Sequence, residues 1–261
     1  MFDIKKFKCA LSFFTIIPSK CDNINSGYSG YVSLVGAIIG LISGTVYYFV
    51  SFYVNVILGA AISLSLILLL SGFNHLDAVL DAGDAILVRG PPSRKLEVLK
   101  DHFLGAGGFG FAFVIYVITF SSMASLIPLE GMITISLSEI IAKDSYILNS
   151  LKAKDIVLGG MFSQFKTSVQ QNWRLQILVN FSFFIVLAVI FLPSLLIAAI
   201  LSLVMQYFIK TRIERSFGGI NGDVLGFLGE ITRMFFIFIA VILLLFEPLH
   251  FIPLTLLLSH L

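Results

Sequence analysis

Three aspartates, Asp77, Asp81 and Asp84, stand in the string Gly72-Phe-Asn-His-Leu-Asp-Ala-Val-Leu-Asp-Ala-Gly-Asp84. At about 100° per residue of α-helix they fall near 0°, +40° and −20°, a narrow wedge of one helix face. Like charges at this spacing repel. Their neighbours Leu76, Val79, Leu80, Ile86 and Leu87 offer poor solvation and no basic partner. A hard divalent cation bound through carboxylate oxygens, Mg²⁺ or Mn²⁺, would offset that repulsion, and polyphosphate substrates typically complete the coordination of such an ion. The bland alternative, a solvated acidic face on a loop helix, fits these apolar surroundings less well. His75 projects about 160° from the wedge, which suits packing or support of the site unless the helix begins after it.

A second acidic group comes late, in Gly218-Gly-Ile-Asn-Gly-Asp-Val-Leu-Gly-Phe-Leu-Gly-Glu230. If this stretch is helical, Asp223 and Glu230 share a face, beside a stripe of Gly219, Gly222, Gly226 and Gly229. Small residues at this spacing let a helix or a phosphate approach the backbone. Packing alone would account for the glycines but not for the acids beside them. Between the two groups, Arg94 and Lys100 are suited to phosphate, and Asp101 precedes a glycine-rich turn. A basic segment by itself is weak evidence; with two acidic groups it reads as a phosphate-plus-metal site. Glu139 and Lys143, four apart, are expected to pair inside the protein. Glu139, Asp144, Asp155 and Glu214 suggest no catalytic role.

The elements that must position these groups are set by composition. Of 261 residues, 58% are hydrophobic and 12% charged, with 26 Phe, and the mean hydropathy is +1.00. Soluble domains run at about 45–50% and about 25%. Disorder, a disulfide scaffold and a freely soluble enzyme are excluded. The expected fold is all-α: a polytopic membrane bundle, one domain over residues 1–261, solvated by the lipid bilayer. A span needs roughly 20 mostly apolar residues, and about seven candidates lie near 29–52, 54–73, 109–127, 131–149, 175–192, 194–209 and 234–250. The stretch 74–84 follows the second of these without a break. The apolar tail 251–261 is too short to assign, with Pro253 in it.

With seven spans and a cytoplasmic amino terminus, one side receives segments 1–28, 74–108, 150–174 and 210–233. Sixteen of the 17 Lys and Arg fall there, and the last, Lys143, sits inside a span. This asymmetry predicts a multi-pass protein with its amino terminus and active site facing the cytoplasm, so a cell membrane is the expected location. Ala10–Pro18 is short and lacks a cleavage site, so it reads as an interfacial segment rather than a signal. Cys9 and Cys21 match no common zinc or redox spacing and read as small, partly buried thiols.

The string His75–Asp84 resembles the HLDGLADTxDG signature of the cobalamin synthase family, the adenosylcobinamide-GDP ribazoletransferases. Leu11-Ser-Phe-Phe-Thr-Ile-Ile-Pro18 is similar to that family's LSFxTRxP start. Leu99-Lys-Asp101 with Leu104-Gly105 resembles its M(K/R)DSxxGxxG block, and Gly218–Gly226 with Glu230 its GGxTGDxxGAxxE block. This sequence departs from the pattern at several points. Ile16 replaces Arg, Ala78 and Ala85 replace Gly, and His102-Phe103 replace Ser-Arg. Asn221 stands for Thr, Arg233 stands where a second acid is common, and Glu139 about where the family often has Arg.

The resemblance implies the last assembly step of adenosylcobalamin, joining adenosylcobinamide-GDP to α-ribazole or its 5′-phosphate with release of GMP, and a Mg²⁺ cofactor. It implies no nucleic acid partner and leaves a homo-oligomer open. In this reading Asp77, Asp81, Asp84, Asp223 and Glu230 hold the metal, with Asp81 central to catalysis. Arg94, Lys100, Asn221 and Gly222 contact substrate, and Asp101 or His75 is the general base. Two alternatives remain open. A CDP-alcohol phosphotransferase would carry Ala-Arg after the first aspartates, which is lacking here. A transporter would use Glu139, Lys143 and Asp144 as an ion path.

Overall fold

The computed structural model describes residues 3–21, 27–101, 103–156, 160–171, 173–191 and 193–246. The regular structure among these is helical, with one isolated parallel bridge between Asp155 and Ile220. A short α1 (Ile4–Phe14) and a 3₁₀ turn (Tyr28–Tyr31) lead into α2 (Val32–Tyr53), α3 (Val56–Leu70), α4 (Asn74–Leu87) and α5 (Pro92–Val98). There follow α6 (Ala106–Met123), α7 (Pro128–Leu151), α8 (Met161–Gln171), α9 (Trp173–Phe191), α10 (Ser194–Phe217) and α11 (Gly222–Phe246).

Among the described residues each of the seven anticipated apolar segments contains a helix, yet the count of candidate spans is lower. Five are individually long and apolar enough to cross a bilayer, and six if α3 and α4 are taken together across an 88° bend. The reasons are local: α3 has only 15 residues, and α7 carries Glu139, Lys143 and Asp144. The expected unbroken run from the second span into 74–84 is corrected by that bend. The last span also begins at Gly222 rather than near 234. Arg233 therefore sits within a helix and not in a loop. The tail 251–261 lies outside the described residues.

α7 is the central helix, packed by α2, α9 and α11. Its seam with α2 is set by Gly36, Gly40 and Gly44, whose added Cβ atoms would lie 2.6, 2.5 and 2.6 Å from the carbonyl oxygens of Glu139, Ser136 and Met132. Only glycine permits such an approach, and without a hydrophobic drive in lipid this close packing is what holds the pair. Beside it, the Ser33 hydroxyl is within hydrogen-bond distance of both Asp144 Oδ1 and Asn180 Oδ1, the latter at 2.7 Å, tying α2, α7 and α9 together. That gives Asp144 a structural role the sequence had left open. Outward, α9 and α10 expose Leu178, Val186, Ile200 and Phe208, a surface that lipid solvates.

The helix ends follow their capping residues. Asp3 accepts from Lys5 N and Lys6 N to start α1, and Asn55 from Leu58 N to start α3. Gly218, at φ 80, terminates α10. Cys9 and Cys21 are joined as a disulfide, correcting the expectation of free thiols. The bridge clamps α1 to the chain that leaves it.

Candidate active site

The site begins at the break after α3. Gly72 (φ 65) and Phe73 (φ 59) are both left-handed. Phe73 N donates to Leu68 O at 2.9 Å and Gly72 N to Leu69 O at 2.9 Å, the paired pattern that closes a helix with glycine just past its end. A bulky residue in this conformation is strained. Ile16 N docks on Leu70 O at 2.9 Å, so the segment after α1 is laid against the break.

Beyond the break α4 turns between α6 and α11, burying Ala78, Val79, Ala82 and Ala85. Contact with α11 is close because of Gly226, where an added Cβ would lie 2.7 Å from Ala78 Cβ. At α4's far end Lys95 Nζ donates to Val88 O at 2.6 Å and to the Ala85 and Ile86 carbonyls at 3.2 Å. Burial pushes this ammonium below its ordinary pKa.

A cavity of about 370 Å³ opens where α1, α4, α7, α8 and α11 meet. Asn74, His75 and Asp77 line it from α4, and Gly222, Asp223 and Gly226 from α11. Phe13, Phe14, Phe162 and Phe165 supply an aromatic wall, and Tyr146 comes from α7. Asp77 and Asp223 are close enough for one charge to act on the other. Asn221 caps α11, accepting from Val224 N at 3.0 Å, and its amide donates to Asp223 Oδ2 at 2.8 Å. Gly222 leaves open space where a side chain would stand. His75, expected to point away from the acids, shares this cavity with Asp77.

The structure thus brings together Asp77, Asp223, His75 and Gly222, with Asn221 behind them. Asp81, half-buried, lies one turn along α4 and is not in the cavity lining. Asp84 is engaged elsewhere: its carboxylate accepts from Gly105 N at 2.7 Å and Gly108 N at 2.8 Å, capping α6. Glu230 is buried against Arg233, whose guanidinium also donates to Glu139 Oε1 at 2.9 Å. The expected Glu139–Lys143 pair is therefore replaced, and Lys143 Nζ lies 2.7 Å from His75 Nε2. Arg94 pairs with Glu97 at 2.6 Å on the surface. Lys100 is exposed, and exposed Asp101 accepts from Phe103 N at 3.2 Å. His102 lies outside the described residues.

Among the described residues no group of three or more His, Cys, Asp or Glu is gathered tightly enough to hold a metal unaided. Two carboxylates lining one cavity nevertheless suit Mg²⁺, which is commonly bound by one or two carboxylates while substrate phosphates and water fill its other positions. Sequence reading missed the aromatic wall and Tyr146. The signal for Tyr146 was its place three residues after Lys143, on the same helix face.

The chain matches the family model described as cobalamin-5-phosphate synthase over residues 6–241. It is 34% identical over 231 residues to an adenosylcobinamide-GDP ribazoletransferase of Picrophilus torridus, covering 87% of this chain and 93% of that protein. A protein of the same name from Thermoplasma volcanium is 32% identical over 92% of this chain and 91% of its own length. One from Clostridium perfringens is 27% identical over 86% and 92%. No solved structure matches.

Proposed function

Because the chain belongs to the cobalamin-5-phosphate synthase family, we propose that it joins adenosylcobinamide-GDP to α-ribazole or its 5′-phosphate and releases GMP. It is a membrane-embedded transferase. The observation that carries the reading is the pair Asp77 and Asp223, delivered by two helices from distant parts of the chain to one cavity.

The ribazole hydroxyl attacks the phosphorus attached to cobinamide, and the bond to the GMP oxygen breaks. The barrier lies in aligning two anionic partners and in charge on the leaving phosphate. Asp77 and Asp223 would hold Mg²⁺. When bound, that ion supplies charge neutralisation across the diphosphate. Asn221 orients Asp223 through its amide, and the Gly222 opening admits a phosphate beside the start of α11, where backbone N–H groups favour anions. The aromatic wall excludes water from the reacting centre. Ligand pockets run at about 300–1,000 Å³, so this cavity suits the diphosphate and the ribazole sugar, with the corrinoid body outside it. Arg94 on α5, with Lys100 and Asp101 just after it, is exposed and would be free to meet the nucleotide outside the cavity.

The basic residues support an amino terminus and site on the cytoplasmic face of a cell membrane. Of the sixteen assigned to that side, Lys95, Lys210 and Arg233 are buried, Arg233 the most completely.

The test is GMP release by purified protein given adenosylcobinamide-GDP, α-ribazole and Mg²⁺, with and without chelator. Release that stops with chelator, and in Asp77→Asn and Asp223→Asn, is expected. Release indifferent to chelator would remove the metal, and its absence under every condition would remove the reaction.

A further inference from the structure

Beneath the cavity, the fully buried Lys143 points its Nζ at His75 Nε2, 2.7 Å away, and the Tyr146 hydroxyl lies 3.3 Å from the same nitrogen. An ammonium has three N–H groups and no lone pair, so Lys143 can only donate to this atom, and the Tyr146 hydroxyl can donate beside it. A neutral imidazole that accepts at Nε2 must hold its proton on Nδ1. Nδ1 lies on the α11 side, 3.5 Å from where a Cβ on Gly226 would be, and Gly226 lines the cavity. The Lys143 ammonium is itself held in place, 5.3 Å from the Tyr146 ring and 5.9 Å from the Phe14 ring. From this geometry we infer that Lys143 is a positioning residue that locks His75 in the Nδ1–H tautomer, so that His75 donates a hydrogen bond into the cavity and does not serve as the base.

The acceptor follows from the proposed function, on which this part rests: a phosphoryl oxygen of the diphosphate, whose charge grows as the GMP bond breaks. With the Nε2 lone pair occupied and Nδ1 already protonated, the imidazole has no free site for the ribazole hydroxyl proton. Asp101, the other expected base, is exposed and outside the cavity lining, so that proton falls to a carboxylate that lines it, Asp77 or Asp223.

The test is ¹⁵N NMR of protein labelled at histidine, the His75 signals being identified by their loss in His75→Gln. Unmodified protein should show a protonated Nδ1 and a bare Nε2. Lys143→Met should mix the two tautomers and lower the kcat of GMP release about 10- to 100-fold, the size typical of supporting groups behind a reacting centre, with little change in KM. Tyr146→Phe should keep the tautomer. A proton on Nε2 in the unmodified protein overturns the inference, whether or not Lys143→Met folds. So does an unchanged tautomer in Lys143→Met, or its loss in Tyr146→Phe, which would shift the role to Tyr146. The NMR result stands apart from turnover, so a protein that released no GMP would sink the reaction without touching the tautomer.

Discussion

Arg233 offers the sharpest test of how the bundle tolerates charge. It is 1% exposed, with Glu139 on one side at 2.9 Å and Glu230 on the other. Glu139 and Arg233, two of the positions at which this sequence departs in charge from the pattern it resembles, are thus partners, and these two departures compensate. Arg233→Glu alone would leave three buried carboxylates with no guanidinium between them. Unit charges about 4 Å apart interact by about 4 kcal/mol at an effective dielectric near 20, and breaking a buried pair typically costs about 3–5 kcal/mol. Glu139→Arg alone should cost a similar amount, because two guanidiniums would share Glu230. The double variant Glu139→Arg/Arg233→Glu restores one cation among two anions. It should recover about 2–3 kcal/mol relative to the sum of the singles, the upper range for coupled neighbours. In detergent, each single change should lower the midpoint of thermal unfolding by roughly 10 °C, at about 2–4 °C per kcal/mol for a chain of this size. If the two losses simply add in the double variant, the pairing argument is wrong.

Other outcomes follow from single contacts. Asp84→Ala removes both acceptors at the start of α6 and should cost about 1–2 kcal/mol in thermal unfolding, while the Mg²⁺ concentration for half-maximal activity stays put. A shifted Mg²⁺ dependence would return Asp84 to the metal. Gly226→Val should wedge α4 from α11, costing about 1–3 kcal/mol as overpacking does and most of the activity; full activity would mean that the α4–α11 contact does not align the acids. Alkylation without reductant should leave Cys9 and Cys21 unmodified, and their joint replacement by Ser should cost about 3 kcal/mol for so short a loop. Two alkylated thiols before reduction would contradict the bridge.

Much of this arrangement could be read from residue types. The length of the apolar runs found the helices, because lipid leaves few other ways to satisfy a backbone. The Asp77 and Asp223 wedges were visible because acids beside apolar runs need an explanation. What stayed hidden was the use of each acid. Asp84 looks like a ligand by spacing, but an α6 start with no side-chain cap of its own takes its oxygens. Glu230 looks like one by helical phase, but a guanidinium three residues on claims it. The turn at Gly72–Phe73 was masked by an apolar run continuing through it. Pairings such as Ser33–Asp144 or Cys9–Cys21 depend on tertiary approach, which spacing does not encode.

The glycine seam between α2 and α7 sets where motion is available. With backbones interlocked at three successive turns, neither helix can slide or rotate without a steric clash, so Tyr146 and Lys143 form a stationary floor. Any widening that admits a bulky corrinoid would then come from α1 and α8, the two short helices whose phenylalanines line the cavity. Loading should accordingly proceed by parting those two short helices, while the reacting groups beneath them keep their alignment.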